Sequence, residues 1–289
     1  MTDTVLMTPA ELAAALPGGG IVVIDTRAPD AYAAGHIPGA VNLHDIFTYL
    51  ATSTPEGMAA LRSKFADAFA AAGLSGTETA VFCEQSMASG FGQSCRGYFL
   101  LQYLGYPHAK ILHGGMAAWE AAGLPVTTAA AIPVPGSFPA TAAGAGLMLT
   151  SADMLAALDD PAVVLLDVRD VDEWIGESSS PYGRDFCPRK GRIPGARWIE
   201  WYRLMKPTPS GPMLKSRNEI LAECATVGIT PESKVYLYCF KGARAANTFV
   251  ALAEAGVTDC AIYFGSWNEW SRDPSLPIDS GLPFAAAAE

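Results

Sequence analysis

The chain has 289 residues, half of them hydrophobic and 17% charged, with a formal net charge of −10. That length accommodates two domains of ordinary size, each with its own core, and the apolar fraction speaks against disorder outside linkers and ends. The acidic balance argues against nucleic acid or an anionic membrane as a partner, and no window approaches the roughly 18 uninterrupted apolar residues of a membrane span.

The segment Met1 to Leu16 carries Asp3 and Glu11 and lacks the basic start and apolar core of a secretory signal, so a cytoplasmic protein is expected. Cys83, Cys95, Cys187, Cys224, Cys239 and Cys260 include no CxxC pair. A metal site would cluster its ligands and a disulfide framework belongs to small secreted domains, so free thiols are expected, with no metal.

The first helix has Thr8 as N-cap, Pro9 in its first turn and Glu11 at the capping-box position, and it stops at Gly18-Gly19-Gly20. Ile21 to Ile24 is a continuous apolar run, the pattern of a strand covered on both faces, and it ends in Asp25-Thr26-Arg27. Gly35-His36-Ile37-Pro38-Gly39-Ala40 makes a tight turn into a short strand at Val41. Helices are expected over Met58–Ala72, Tyr98–Leu104 and Met116–Ala122, and strands over Ala80–Cys83 and Lys110–His113. Such alternation implies right-handed crossovers and a mostly parallel sheet with helices on both faces, an α/β domain.

Residues 127–147 are rich in Ala, Pro, Gly and Thr without a charge and read as an extended linker. Then the pattern recurs. Thr150 or Ser151 caps a helix with Asp153 in its first turn, Val163 to Leu166 runs into Asp167-Val168-Arg169, and Gly191-Arg192-Ile193-Pro194-Gly195-Ala196 repeats the earlier turn. Gly265-Ser266-Trp267-Asn268-Glu269-Trp270 stands where Gly114 to Trp119 stood. Cys83 follows Gly39 by 44 positions and Cys239 follows Gly195 by 44, so the chain reads as a tandem duplication: domains at 1–126 and 148–289, joined by the linker.

The chemistry concentrates at Val235 to Ala246, where a β-branched and aromatic strand stops at Cys239 and an Ala-rich helix begins a few residues later. Such a connection turns backbone N–H groups and the positive helix end toward one point, a nest for negative charge. Lys241 and Arg244 add cations, a setting that favours a thiolate at Cys239. A buried, inert cysteine at a strand end is the commoner case, and it is the cationic six-residue loop that argues against it here.

The spacing Cys-x-x-Gly-x-Arg, with the Asp-x-Arg strand ends, the Gly-[His/Arg]-Ile-Pro-Gly-Ala turns and the Gly-x-x-x-x-Trp segments in both halves, resembles the rhodanese family of sulfurtransferases. The resemblance covers nearly the whole chain. It implies two tandem rhodanese-like domains, the first inactive and the second carrying sulfur as a Cys239 persulfide, with no organic cofactor. It also implies that the loop Phe240, Lys241, Gly242, Ala243 and Arg244 binds a small anionic sulfur donor, thiosulfate or alternatively 3-mercaptopyruvate, and that a thiol or cyanide accepts the sulfur. Lys241 matches the basic residue of thiosulfate-using relatives, whereas Phe240 and Arg244 depart from both donor patterns. In the first domain Glu84 stands beside Cys83 and opposes a thiolate, and Arg96 matches the arginine that such inactive domains carry on the following helix.

The copies differ where function would. Asp25 to Gly35 spans 10 positions and Asp167 to Gly191 spans 24, so the second copy carries a 14-residue insertion, Ser178 to Lys190 among it; after the cysteine, by contrast, the first copy's loop is about five residues longer. Residues 184–217 hold nine cations against two acids, which makes Arg184 and Arg189 candidates for the anion site. The same insertion is alternatively a docking surface for a protein acceptor in a persulfide relay. Aromatics concentrate in the second copy, and of these Trp201 and Phe240 are candidates for the pocket lining, the others for packing. A cysteine phosphatase would want Cys-x5-Arg, one residue longer than Cys239 to Arg244.

Overall fold

In the computed structural model, which describes residues 4–283, the repeated pattern becomes two five-stranded sheets whose neighbouring strands all run parallel. The first contains β1 (Leu6–Met7), β2 (Ile21–Asp25), β3 (Val41–Asn42), β4 (Thr79–Cys83) and β5 (Ala109–Leu112), in the order β1-β5-β4-β2-β3. Around it lie α1 (Pro9–Ala15), α2 (Pro29–Ala34), α3 (Asp45–Thr48), α4 (Pro55–Ala71), α5 (Gln93–Tyr103) and α6 (Gly115–Ala121). The second sheet draws on β6 (Met148–Leu149), β7 (Val163–Asp167) and β8 (Arg197–Trp198). A two-stranded antiparallel ribbon follows, β9 (Met205–Lys206) with β10 (Met213–Leu214), and then β11 (Lys234–Tyr238) and β12 (Cys260–Tyr263). Its order, β6-β12-β11-β7-β8, repeats the first. With it go α7 (Ser151–Ala156), α8 (Val171–Trp174), α9 (Arg217–Ala225), α10 (Ala243–Ala255) and α11 (Ser266–Trp270).

The chain divides into two units. One comprises the chain up to Tyr49 with Met58–Leu147 and Met205–Lys215, and the other Leu50–Gly57, Met148–Leu204 and everything from Ser216. Residues 127–147 therefore belong with the first unit and are not a bare tether. The reason is burial and pairing: Phe138 stacks on Tyr106 with centroids 5.3 Å apart, the Gly136 N–H donates to Ala70 at 2.8 Å and the Thr141 N–H to Leu104 at 2.8 Å.

The helix starts follow from local chemistry. Thr8 accepts the Glu11 N–H while Glu11 accepts the Thr8 N–H, and Thr150 with Asp153 repeats the arrangement. In the second sheet β11 lies between β12 and β7, and Val235 and Leu237 on it are fully buried, each contributing about 1.5–3 kcal/mol of hydrophobic stabilisation. A strand so placed delivers whatever follows it to the carboxyl edge of the sheet, where ligands bind in folds of this kind. Cys239 is the next residue. No helix among the described residues is long and apolar enough to cross a membrane.

Candidate active site

Cys239 is 1% exposed and lies between the end of β11 and the start of α10. Its sulfur accepts the N–H of Gly242 at 3.1 Å. Gly242 is the N-cap of α10 with φ +89°, and a Cβ there would stand 2.7 Å from the ring of Phe264, so the turn requires glycine on both counts. The first-turn N–H groups of α10 have no intrahelical acceptors by construction and add the positive end of the helix to the same place. Lys241, 8% exposed, brings its ammonium 5.2 Å above the ring of Tyr182.

The backbone of Cys239 is held from α11. Its N–H donates to the Ser266 hydroxyl at 3.2 Å, its carbonyl accepts the Trp267 N–H at 3.0 Å, and the Phe240 carbonyl accepts the Asn268 N–H at 3.0 Å. Ser266 has φ +54°, a left-handed conformation that costs an ordinary residue roughly 1–2 kcal/mol. Two hydroxyl contacts fix it there, since Ser266 also donates to the Tyr263 carbonyl at 2.8 Å. Sequence reasoning missed Ser266 as a contributor to the site. The signal was present as a serine where the first copy has glycine.

Arg244 pairs with two acids at the start of α8. It is buried, its guanidinium donates to Glu173 at 2.6 and 3.1 Å, and it pairs with Asp170 at 3.0 Å. Burial alone would lower its pKa, but the charge and hydrogen bonds of Glu173 outweigh that and raise it. Burial pushes the Glu173 carboxyl up against the opposing pull of Arg244. An arginine so paired fastens α8 to the start of α10 and neutralises acids there. Asp170, Asp172 and Glu173 bring ligand atoms within 4.8 Å of one another, and Arg244 pairs with Asp170 and Glu173 among them.

Arg189 is likewise committed elsewhere. Its guanidinium donates to the carbonyls of Trp270 at 2.7 Å, Ser271 at 2.8 Å, Leu276 at 2.9 Å and Asp273, which clamps the chain leaving α11. Arg184 donates to the Pro188 carbonyl at 3.3 Å and lines a shallow cavity with Pro188, Arg189, Lys190, Ile278 and Ser280. The insertion does meet the cysteine loop, through different residues. Tyr182 and Phe186 place their rings 4.7 and 6.3 Å from that of Phe240, and the Asn268 amide donates to the Phe186 carbonyl at 2.8 Å. Trp201 is buried and donates to Asp170 at 3.1 Å.

Behind the loop, Arg169 and Asp167 form a buried ion pair at 2.6 Å, and Arg169 also donates to the Gly191 carbonyl at 2.8 Å. The Tyr238 hydroxyl donates to Asp167 at 2.7 Å and accepts the Ile193 N–H at 3.1 Å, tying the end of β11 to the Gly191–Ala196 turn.

The rhodanese-like domain family matches the chain twice, over residues 8–122 and 150–273. The chain belongs to that family. A thiosulfate sulfurtransferase of Azotobacter vinelandii is 27% identical over 276 residues, covering 95% of this chain and 96% of the relative. A probable 3-mercaptopyruvate sulfurtransferase of Pseudomonas aeruginosa is 28% identical over 295 residues, covering 97% and 100%. Among solved structures, a variant of EanB with ergothioneine covalently linked to a persulfide cysteine superposes with a TM-score of 0.82 at 25% identity, covering 96% of this chain and 70% of that one.

The two rhodanese-like domains do not align as the cysteine spacing suggested. Sheet register pairs Asp25 with Cys83 and Asp167 with Tyr238. The Met116 N–H donates to the Glu84 carbonyl where the Trp267 N–H donates to that of Cys239. The counterpart of Cys239 is therefore Glu84, one residue beyond Cys83, and the equal spacing of 44 hides a one-residue offset. Glu84 is fully buried, and its carboxyl accepts the Gln93 N–H at 3.0 Å and the Ser94 hydroxyl at 2.7 Å at the start of α5. Burial pushes its pKa up to about 8 against those hydrogen bonds. Cys83 donates its S–H to the Glu84 carbonyl at 3.4 Å, and burial raises its pKa well above the ordinary thiol range. Arg96 is fully buried and donates to the carbonyls of Ile46, Phe47 and Tyr49.

Proposed function

We propose that the second domain is a sulfurtransferase that moves sulfane sulfur from thiosulfate to a thiol or cyanide through a persulfide on Cys239. The observation that carries this reading is the Cys239 sulfur seated on the Gly242 N–H at the start of α10, with the Lys241 ammonium in the same loop. The thiolate attacks the outer sulfur of thiosulfate, the S–S bond breaks with its electron pair leaving on sulfite, and Cys239 keeps one sulfur. The loop amides stabilise the anion formed, and Lys241 holds the sulfonate. The acceptor then attacks the outer sulfur of the persulfide and regenerates the thiolate, which is ping-pong kinetics. The relatives named as sulfurtransferases support the same class of reaction.

A second reading has its own support. Because Arg244 is paired with Glu173 and Asp170, the loop offers a donor mainly the single charge of Lys241, and one cation suits the single carboxylate of 3-mercaptopyruvate. Both donors are therefore assayed side by side, with mass spectrometry for one added sulfur on the Cys239 peptide. Lys241→Ser should cost thiosulfate use about 1–3 kcal/mol, the worth of a charged hydrogen bond, and mercaptopyruvate less. Absence of added sulfur after either donor would sink the persulfide mechanism.

A further inference from the structure

Aromatic rings gather on Phe240, the residue after Cys239, and sulfur transfer from a small inorganic anion makes no use of them. Tyr182 is 45% exposed and Phe186 39%, and both rest on Phe240, which is 3% exposed. Two exposed rings with centroids 5.8 Å apart, set beside a nucleophile, form a surface that a ligand can cover. The surface is built in advance. Ser180 accepts the Tyr182 N–H at 3.2 Å and donates to the Gly183 carbonyl at 3.1 Å, the Cys187 N–H also donates to that carbonyl at 3.2 Å, and Cys187 is fully buried among Tyr238, Phe240 and Trp267. Lys190 closes the base of the insertion by donating to the Glu177 carbonyl at 2.6 Å. At the rim, the Lys241 ammonium lies 5.2 Å over Tyr182.

We propose that Tyr182 and Phe186 form the subsite for the sulfur acceptor, and that this acceptor is an organic thiol with a flat, unsaturated body and a carboxylate. The inference rests on the reading of Cys239 as a persulfide carrier. The flat body stacks on the rings in the offset manner aromatics prefer, and the carboxylate meets Lys241. Cys239 is buried in its loop, and the two exposed rings stand against Phe240, the next residue, within reach of an acceptor that comes to the persulfide. The acceptor's thiolate attacks the protonated outer sulfur, a new S–S bond forms on the acceptor, and the bond to Cys239 Sγ breaks with its electron pair kept as thiolate. No oxidant or reductant enters.

The test loads Cys239 from inorganic polysulfide, removes the excess, and follows discharge to 4-mercaptobenzoate, to 3-mercaptopropionate and to 4-(trimethylammonio)thiophenol. Each rate is divided by that of 3-mercaptopropionate, which has the carboxylate without the ring. In the Tyr182→Ser/Phe186→Ser variant the 4-mercaptobenzoate ratio should fall about tenfold relative to the unaltered protein. In Lys241→Ser both carboxylates lose the same partner, so that ratio should stay nearly level while the ratio for the cationic thiophenol rises. An unchanged 4-mercaptobenzoate ratio in the double variant overturns the aromatic subsite. Failure of polysulfide to leave sulfur on Cys239 overturns the persulfide reading itself, a result scored before any acceptor is added.

Discussion

Glu84 and Cys239 occupy the same place in two copies of one fold, each just past a central parallel strand and each facing a helix start. At the first, a carboxyl from the chain itself fills the N-terminus of α5, bonded to Gln93 and Ser94. At the second, the N-terminus of α10 receives the sulfur of Cys239, and the loop from strand to helix is about five residues shorter. The difference teaches that the fold makes the anion nest twice, while the loop decides whether it is closed from within or left to a reacting atom. The surrounding supports diverge accordingly. Arg244 in α10 answers Glu173, whereas the corresponding position in α5 is Ser94, which answers Glu84.

The asymmetry is broken most severely at the sulfur. Cys239→Ala should lower sulfur transfer by on the order of 10³-fold or more, as removal of a nucleophile does, while Cys83→Ala should retain most of the activity in the same thiosulfate–cyanide assay. Equal losses would mean that the first domain takes part in the chemistry. Next in size is Arg244→Met, which strands Glu173 in the interior without its counter-charge and should cost about 3–5 kcal/mol of stability by urea denaturation. Intact stability with a selective loss of donor use would return Arg244 to the substrate.

Glu84 gives the comparison a pH dependence. Its carboxyl releases a proton near 4.5 in the unfolded chain and near about 8 in the folded one. Between those values the folded state binds more protons, so this group's contribution to stability falls as pH rises through the window. Glu84→Gln removes the titration, and its stability relative to the unaltered protein should grow from pH 5 to pH 9 by about 4 kcal/mol, read from melting temperatures. A variant that tracks the unaltered protein across that range would place an ionised Glu84 in the fold. The smallest effect is expected from Ser266→Gly, which installs the residue of the first copy, Gly115 at φ +63°. It relieves a left-handed serine but loses the hydrogen bond to Cys239, two opposing contributions of about 1 kcal/mol each. Stability should stay nearly level while the turnover rate drops a few-fold, and an unchanged turnover rate would make Ser266 purely structural.

Capped helices, apolar strands and the Cys239 turn were legible in the residues because their causes are local. A capping box lies within four residues, and the strand end, left-handed glycine and helix start around Cys239 lie within six. The duplication itself was written in repeated motifs. The strands β1 and β6 were not legible, since two residues carry no periodicity and become strands only by pairing with β5 and β12. Nor was the offset that sets Glu84 opposite Cys239, which sheet register alone reveals. The cations show the limit most clearly. Charge and position along the chain marked Arg184, Arg189, Lys241 and Arg244 alike, but a guanidinium goes to whatever acceptors the fold brings near. Glu173 lies 71 positions before Arg244 and Ser271 lies 82 after Arg189, so the sequence determined which cations the protein has, and the tertiary structure decided which carboxylates and carbonyls Arg244 and Arg189 meet.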